Sequence, residues 1–206
     1  MNQPKFFLSA IFGLSLIFAM SVAAVAQPDA KPPVDPSYEI SLQLVVGSND
    51  AAKRTDVPEN LSAISKQLRS TFTFSNYRLA TTFLGRISNN GNFEYKSVTN
   101  IFGQESTSTS QTFLEWSMAS FRTGPTAKGA PGFQAQAFRF GARVPVMVGA
   151  REENGKMSPI INYESIGLGL GRIGFAENVP TLIGTLNLPG ADGTIFLVMT
   201  VRSADQ

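Results

Sequence analysis

The sequence predicts an α+β fold, with a β-α-β start followed by a mostly antiparallel, hairpin-connected sheet of about eight strands and one main helix. Apolar and polar residues alternate from Tyr38 to Val46 and through most of the chain after Tyr77, which is the period of a half-buried strand. One segment, Asp56 to Phe72, instead repeats its apolar residues at helical spacing. Because the turns between the later strands are too short for crossover helices, those strands should pair antiparallel.

The N-terminal residues 1–26 predict a secretory signal peptide. An uncharged apolar stretch runs from Phe6 to Ala26 and ends in Ala24-Val25-Ala26, the small residues that a signal peptidase reads. A retained membrane anchor is the alternative, but the small-residue ending and Pro28 favour cleavage. No cysteine follows the site, which excludes a lipid-modified N-terminus. We expect an exported protein, periplasmic or associated with the outer membrane, with no integral membrane segment after cleavage.

Beyond the cleavage site, the chain divides into a leader and one domain. Residues 27–37 hold four prolines, which lack an N–H donor and fix φ, so they predict an extended leader. Residues 38–206 are expected to form a single α+β domain, composed of a β-α-β-β half at 38–103 and an antiparallel β half at 112–206.

The helix of this domain is predicted from its cap and its apolar stripe. Asp56 can accept hydrogen bonds from the first turn, and Glu59 follows three residues later, as in a capping box. Leu61, Ile64 and Leu68 recur at helical spacing and should form one buried stripe.

Two Asn-Gly pairs predict hairpin turns between the later strands. Asparagine and glycine both tolerate positive φ, so Asn90-Gly91 and Asn154-Gly155 are each expected to join neighbouring antiparallel strands. Between Phe133 and Gly149, Pro145 cannot donate to a strand ladder, which places its strand at a sheet edge or a bend.

The glycines at 169, 171 and 174 spell G-x-G-x-x-G, the fingerprint of a dinucleotide-binding loop. Such a loop must open into a helix, and Pro180 leaves no room for a helix of normal length. We therefore expect extended backbone from Tyr163 to Phe175, with its glycines on one face of a sheet and no bound nucleotide. The side chains expected to cover this bare face are those of Trp116, Phe138 and Phe140.

Composition excludes several kinds of chemistry. The chain has no cysteine and no histidine, which removes disulfides, histidine-dependent nucleophiles and histidine-ligated zinc. The lack of disulfides in an exported chain favours a bacterial envelope protein. The 17 basic and 15 acidic side chains nearly balance, so the charge gives no reason to expect nucleic acid as a partner. We expect neither a cofactor nor a metal.

Carboxylates are the remaining candidates for acid–base catalysis. Glu115 beside Trp116 and Glu164 beside Tyr163 could line a sugar-binding cleft and cleave a glycosidic bond as a pair. No spacing in the sequence brings the two glutamates together, so we expect each to lie on the wet face of a strand and predict no catalytic residue.

The strand after residue 132 and its surroundings are the candidate partner-binding surface. Arg139 and Arg143 alternate with Phe138 and Phe140 on this strand, and Trp116 is the chain's one tryptophan. With an exposed sheet edge, these five residues predict contact with a protein, because an edge offers unpaired backbone groups for β-augmentation. The expected partner is an envelope protein or a second copy of the chain.

Two fragments resemble parts of a known family. The glycine-bearing apolar strand, the turn "PGADG" and the segment "IFLVMTVR" resemble strand pairs in bacterial outer-membrane secretins, and the β-α-β start is similar to their small periplasmic modules. The resemblance covers only these fragments, the long secretin core is missing, and we do not assign the chain to that family.

Together these observations predict an exported bacterial envelope protein that acts without catalysis, as a binding or assembly component through protein–protein contact. A small outer-membrane β-barrel is the first alternative, since about eight alternating strands could close one. The predicted helix and the arginines spread over most strands disfavour it. A carbohydrate-active or other histidine-independent hydrolase is the third interpretation.

Overall fold

The computed structural model describes residues 35–49, 57–99, 111–126, 129–153, 155–188 and 193–204. The predicted signal peptide, most of the leader and Asp56, the predicted N-cap, lie outside these ranges. The described strands, in chain order, are β1 Ser37–Ser48, β2 Asn76–Ser88, β3 Phe93–Thr99, β4 Thr112–Ala119, β5 Arg122–Pro125, β6 Pro131–Ala135, β7 Ala137–Glu153, β8 Lys156–Leu170, β9 Ile173–Ala176, β10 Thr181–Asn187 and β11 Gly193–Ser203. Between β1 and β2, a 3-10 turn at Glu59–Leu61 leads into the helix α1, Ser62–Thr71.

The α+β prediction is wrong, because the fold is mostly β. The described residues form three antiparallel sheets and one short helix. The first sheet has the strand order β10-β11-β1-β2, the second β3-β4-β7-β8 and the third β5-β6-β9. A single sheet of about eight strands was expected because a period of two identifies strands without showing which strand is the neighbour of which.

The helix is an excursion between two antiparallel neighbours. β1 and β2 lie side by side, with Ser48 opposite Asn76 where the excursion begins and ends. The Ser75 amide donates a hydrogen bond to Asn49 Oδ1 at 3.0 Å, which links the end of β1 to the start of β2. The expected β-α-β start is therefore not a crossover to a parallel strand.

α1 packs on the face of the first sheet that points away from the second sheet. Its predicted stripe, Leu61, Ile64 and Leu68, is buried, and each such side chain contributes about 1.5–3 kcal/mol on burial. The sheet residues beneath it are Val45, Tyr77, Phe196 and Val198. This cover explains why β11 reads as an almost unbroken apolar run: both of its faces are buried.

The main core lies between the two four-stranded sheets. Alternate residues of each strand point into it, as the pleat of a strand requires. Its members include Ile40, Leu42 and Leu44 of β1, Leu114, Trp116 and Met118 of β4, Phe138, Phe140 and Val144 of β7, and Ile195, Leu197 and Met199 of β11.

Two seams join the sheets where their edge strands meet, and a glycine lies in each. A Cβ added at Gly85 of β2 would lie 2.3 Å from Cε2 of Phe93, at the start of β3. At the other seam, a Cβ added at Gly184 of β10 would lie 2.3 Å from Cδ2 of Leu168 on β8. The missing side chains therefore leave room for residues of the opposite sheet to close the sandwich.

The third sheet covers one end of the core with aromatic rings. Phe121 and Phe133 stack with ring centroids 5.5 Å apart, and Tyr38 of β1 contacts both, at 5.3 and 5.0 Å. Phe175 of β9 pairs with Phe133 across the ladder and is also buried.

The two Asn-Gly turns have different outcomes. Gly155 has φ 73° and joins β7 to β8, which pair from Glu153 opposite Lys156 onward, so a hairpin is confirmed there. At the other turn Asn90 has φ 60°, but β2 and β3 belong to different sheets, so the expected hairpin ladder is wrong. In the part of the chain that the structure describes, no helix has the length and apolar character needed to cross a membrane.

Pro145 lies where β7 loses one of its neighbours. β4 pairs with β7 from Ala119 opposite Ala137 to Phe113 opposite Arg143, and beyond this point β8 is the one neighbour of β7 among the described strands. The edge position predicted from this proline is confirmed for its half of the strand.

Candidate functional site

The surface of the second sheet that points away from the core is the candidate functional site, and we call it the outer face. Its residues alternate along each strand with the buried ones. They form rows that cross β3, β4, β7 and β8 in that order: Glu94, Ser117, Arg139 and Gly169; then Lys96, Glu115, Gly141 and Gly167; then Val98, Phe113, Arg143 and Ser165.

A hollow lies over β7 and β8 because three of these positions are glycine. A Cβ added at Gly169 would meet no atom within 4 Å, and one at Gly141 would meet Glu115 Cγ at 3.5 Å. Gly167 pairs with Gly141 between them. Two adjoining depressions open on this surface, with volumes of about 660 and 400 Å³. The hollow thus has a backbone floor and a border of charged side chains.

The aromatic side chains expected to cover these glycines do not do so. Trp116, Phe138 and Phe140 are buried in the core, on the opposite face of the sheet. Phe138 and Phe140 pair with Leu170 and Leu168, the core-facing neighbours of the glycines. These aromatic side chains could cover the glycines only from the outer face, and the strand register places them on the core face.

Charges of both signs border the hollow. The Lys96 ammonium donates a hydrogen bond to the Glu94 carboxylate at 2.7 Å, and this bond, with the Glu94 and Glu115 charges, raises the pKa of Lys96. Arg143 lies over the ring of Tyr163, with 5.7 Å between the guanidinium carbon and the ring centroid. Within the described ranges, neither Arg139 nor Arg143 forms an ion pair with a carboxylate.

Of the five residues predicted to bind a partner, only the two arginines lie on the outer face. Arg139 and Arg143 are exposed, whereas Trp116, Phe138 and Phe140 contribute to the core. The sequence pattern separated the two faces of β7 correctly, but the predicted binding surface combined residues of both faces. Any partner contact at this strand would use its arginine side.

Sequence reasoning missed two further features of this surface. Lys96 was not singled out, and the bare face predicted for β8 was not matched with Gly141, which pairs with Gly167 across the ladder. The outer face also continues onto the long β7–β8 hairpin, where Met147 and Met157 are 59% and 67% exposed. An apolar hairpin surface therefore adjoins the charged hollow.

The paired carboxylates of the hydrolase interpretation lie on opposite faces of the sheet. Glu115 pairs with Gly141 on the outer face, whereas Glu164 pairs with Val144, whose side chain points into the core. Both glutamates are exposed. Among the described residues, no group of three or more acidic, histidine or cysteine side chains could hold a metal ion.

The glycine fingerprint is divided between two strands and the bend that joins them. β8 extends to Leu170, the chain bends at Gly171, and β9 begins at Ile173. β8 belongs to the second sheet and β9 to the third, so the bend carries the chain between sheets. Extended backbone is confirmed on both sides of the bend, but the bend interrupts the stretch expected from Tyr163 to Phe175 and places Gly174 in a different sheet from Gly169. Among the described residues, no helix follows that could present its N-terminus to a phosphate.

Comparisons with known proteins give structural matches alone. No protein-family model matches the chain, and no curated protein sequence matches it. Two solved structures come from the secretin InvG of the Salmonella SPI-1 type III secretion injectisome. One holds residues 176 to the end in the open gate state, with 10% identity, a TM-score of 0.34, and coverage of 94% of this chain and 66% of that one.

The other is described as the InvG secretin domain beta-barrel from the injectisome NC-base, with 12% identity and a TM-score of 0.27. It covers 96% of this chain and 68% of that one, so this chain spans about two thirds of each structure. Neither TM-score indicates a shared fold.

Proposed function

We propose that this protein is an exported component of the bacterial envelope that acts without catalysis, by binding another protein through the outer face of the second sheet. The predicted signal peptide at residues 1–26 and the absence of cysteine support the location. The absence of histidine and the separation of Glu115 from Glu164 on opposite faces support a binding role over hydrolysis.

The observation that carries the proposal is the composition of the outer face. Within the described ranges, Arg139 and Arg143 have no carboxylate partner, and they flank a glycine that leaves backbone exposed. Val98 and Phe113 in the third row are 50% and 45% exposed. Arginine and aromatic side chains beside apolar area are enriched where proteins meet.

Site-specific crosslinking tests this role with two matched lysines. Lys96 lies on the outer face and Lys66 on α1, and both are exposed. A photoreactive amino acid is placed at either position in the full-length chain, produced in a Gram-negative host. After irradiation of intact cells, the Lys96 probe should give a discrete crosslinked protein band, and the Lys66 probe should give none or much less.

Fractionation of the same cells tests the location. The exported chain should begin at Gln27 by N-terminal sequencing and should leave the membranes in a carbonate wash. Equal crosslinking from both lysines, or no crosslinking from either, would contradict the contact role of the outer face. A chain that stays in the cytoplasm, or in the washed outer membrane, would contradict the proposed location.

A further inference from the structure

The outer face is complementary to itself, and we propose that its partner is a second copy of this chain, packed face to face about a two-fold axis. This inference rests on the proposed binding role and specifies the partner. A two-fold interface uses the same patch on both subunits, so that patch must carry both halves of every contact. The rows of the outer face meet this requirement in shape and in charge.

The shape of the outer face divides along the boundary between β4 and β7. The β3–β4 half carries the long side chains Glu94, Lys96 and Glu115. The β7–β8 half carries glycine at the corresponding places, so that it is low where the first half is high. At these three positions the first half therefore forms a ridge, and the second half forms the hollow, which the exposed side chains of Arg139 and Arg143 border.

A two-fold axis that runs parallel to the strands, along this boundary, brings each ridge over a hollow. The rows keep their level and the strand order reverses, so β4 of one copy lies over β7 of the other and β3 over β8. Glu115 then lies over Gly141 of the second copy, Lys96 over its Gly167, and Glu94 over its Gly169. Packed sheets lie about 10 Å apart, and a long side chain fits into that gap without meeting an opposite side chain where the opposite position is glycine.

The same axis pairs opposite charges. Along β7, Gly141 lies between Arg139 and Arg143, so a Glu115 carboxylate placed over it meets guanidinium groups on both sides. Each copy supplies one carboxylate and two guanidinium groups, so the contact forms twice. Phe113 lies over Arg143 of the second copy, which adds a cation–π contact. A patch of one charge sign could not pair with itself in this way.

Charge reversal followed by mixing distinguishes self-association from binding to a different protein. Glu115→Arg places an arginine against Arg139 and Arg143 of the second copy, so like charges meet at both symmetry-related contacts. Arg139→Glu combined with Arg143→Glu places two glutamates against Glu115 and has the same effect. Each variant alone should dimerise at least about tenfold more weakly than the wild-type chain. An equimolar mixture restores opposite charges at both contacts and should form a heterodimer. Sedimentation velocity of the exported form of the full chain, over a range of concentrations, measures all four samples.

Filling the hollow gives a second, independent test. Gly169→Leu meets no atom of its own chain near the new Cβ, so the monomer should fold normally while the ridge of the second copy loses its space. Dimerisation should weaken by at least about tenfold. Ala63→Leu adds apolar bulk at an exposed position of α1 and should leave dimerisation unchanged.

The inference is supported by a wild-type dimer, monomeric charge variants and a dimeric mixture. It is overturned if the wild-type chain stays monomeric at about 100 µM, if Gly169→Leu dimerises as tightly as the wild type, or if mixing restores nothing. If the Lys96 probe captures a different envelope protein while the exported chain remains monomeric, the proposed function stands and the dimer does not.

Discussion

Replacing Gly85 with alanine should open one of the two seams between the four-stranded sheets. The Phe93 ring occupies the space above Gly85, with Cε2 and Cζ only 2.3 and 2.6 Å from the position of an added Cβ. The ring cannot withdraw easily, because it packs on Trp116 with 4.5 Å between ring centroids. The new methyl group must therefore displace Phe93 from the tryptophan or push β2 away from β3.

The expected cost follows from two opposing effects. Forcing a methyl group into a packed site costs about 1–3 kcal/mol. Alanine in place of glycine lowers the conformational entropy of the unfolded chain, which stabilises the fold by about 0.4–1 kcal/mol. The free energy of unfolding should therefore fall by about 1–2 kcal/mol. Gly171→Ala is the matched control, since its Cβ would meet nothing within 4 Å and only the favourable effect remains.

Urea denaturation followed by tryptophan fluorescence measures both variants, because Trp116 is the single tryptophan and lies beside the seam. Phe93→Leu combined with Gly85→Ala should cost less than the sum of the two separate changes, since the shorter side chain removes the clash. If Gly85→Ala proves as stable as Gly171→Ala, Phe93 does not close this seam and the packing argument fails.

Three further predictions concern α1 and the end of β11. Tyr77→Phe removes the hydroxyl that donates to the Leu68 carbonyl at 3.0 Å, and chemical denaturation should show a loss of about 1–2 kcal/mol. Leu68→Ala should cost about 2–5 kcal/mol in the same assay, whereas Leu84→Ala, at a side chain 62% exposed, should change stability by less than about 0.5 kcal/mol. The hydroxyl and the amide of Ser203 donate hydrogen bonds to the Glu177 carboxylate and lower its pKa. The ionised carboxylate therefore stabilises the fold at pH values above the ordinary glutamate pKa. This stabilisation is lost as the pH falls through the lowered pKa. Glu177→Gln should therefore be less stable than wild type at neutral pH, and the difference should vanish in acid; a difference that persists at low pH would refute this.

The strands could be predicted from the sequence, but their partners could not. The alternation that identifies β7 also separates Arg139 from Phe140, and both assignments match the structure. The two Asn-Gly turns show the limit. Asn90 lies in one tight turn and Gly155 in another, yet among the described strands only the second turn joins paired neighbours, because the first leads into a different sheet. Long-range packing decides between these outcomes, and a local turn signal does not contain it.

The candidate site was predictable in part for the same reason. The bare positions of β8 were visible in the sequence, and their strand conformation followed from the nearby proline. The residues that surround these glycines depend on the register between β7 and β8. That register places Gly141 opposite Gly167 and Arg139 opposite Gly169. The hollow is a property of two neighbouring strands, so no single stretch of sequence displays it.

Cysteine accessibility in the intact envelope tests most directly whether the outer face is the contact surface. The chain has no native cysteine, so Ser165→Cys on the outer face and Ser70→Cys on α1 each introduce a single thiol at an exposed position. A hydrophilic maleimide should label both thiols in dilute purified protein, but in the envelope it should label Ser70→Cys and leave Ser165→Cys largely unmodified. Equal labelling of the two thiols in the envelope would contradict the assignment of the outer face as a buried protein contact.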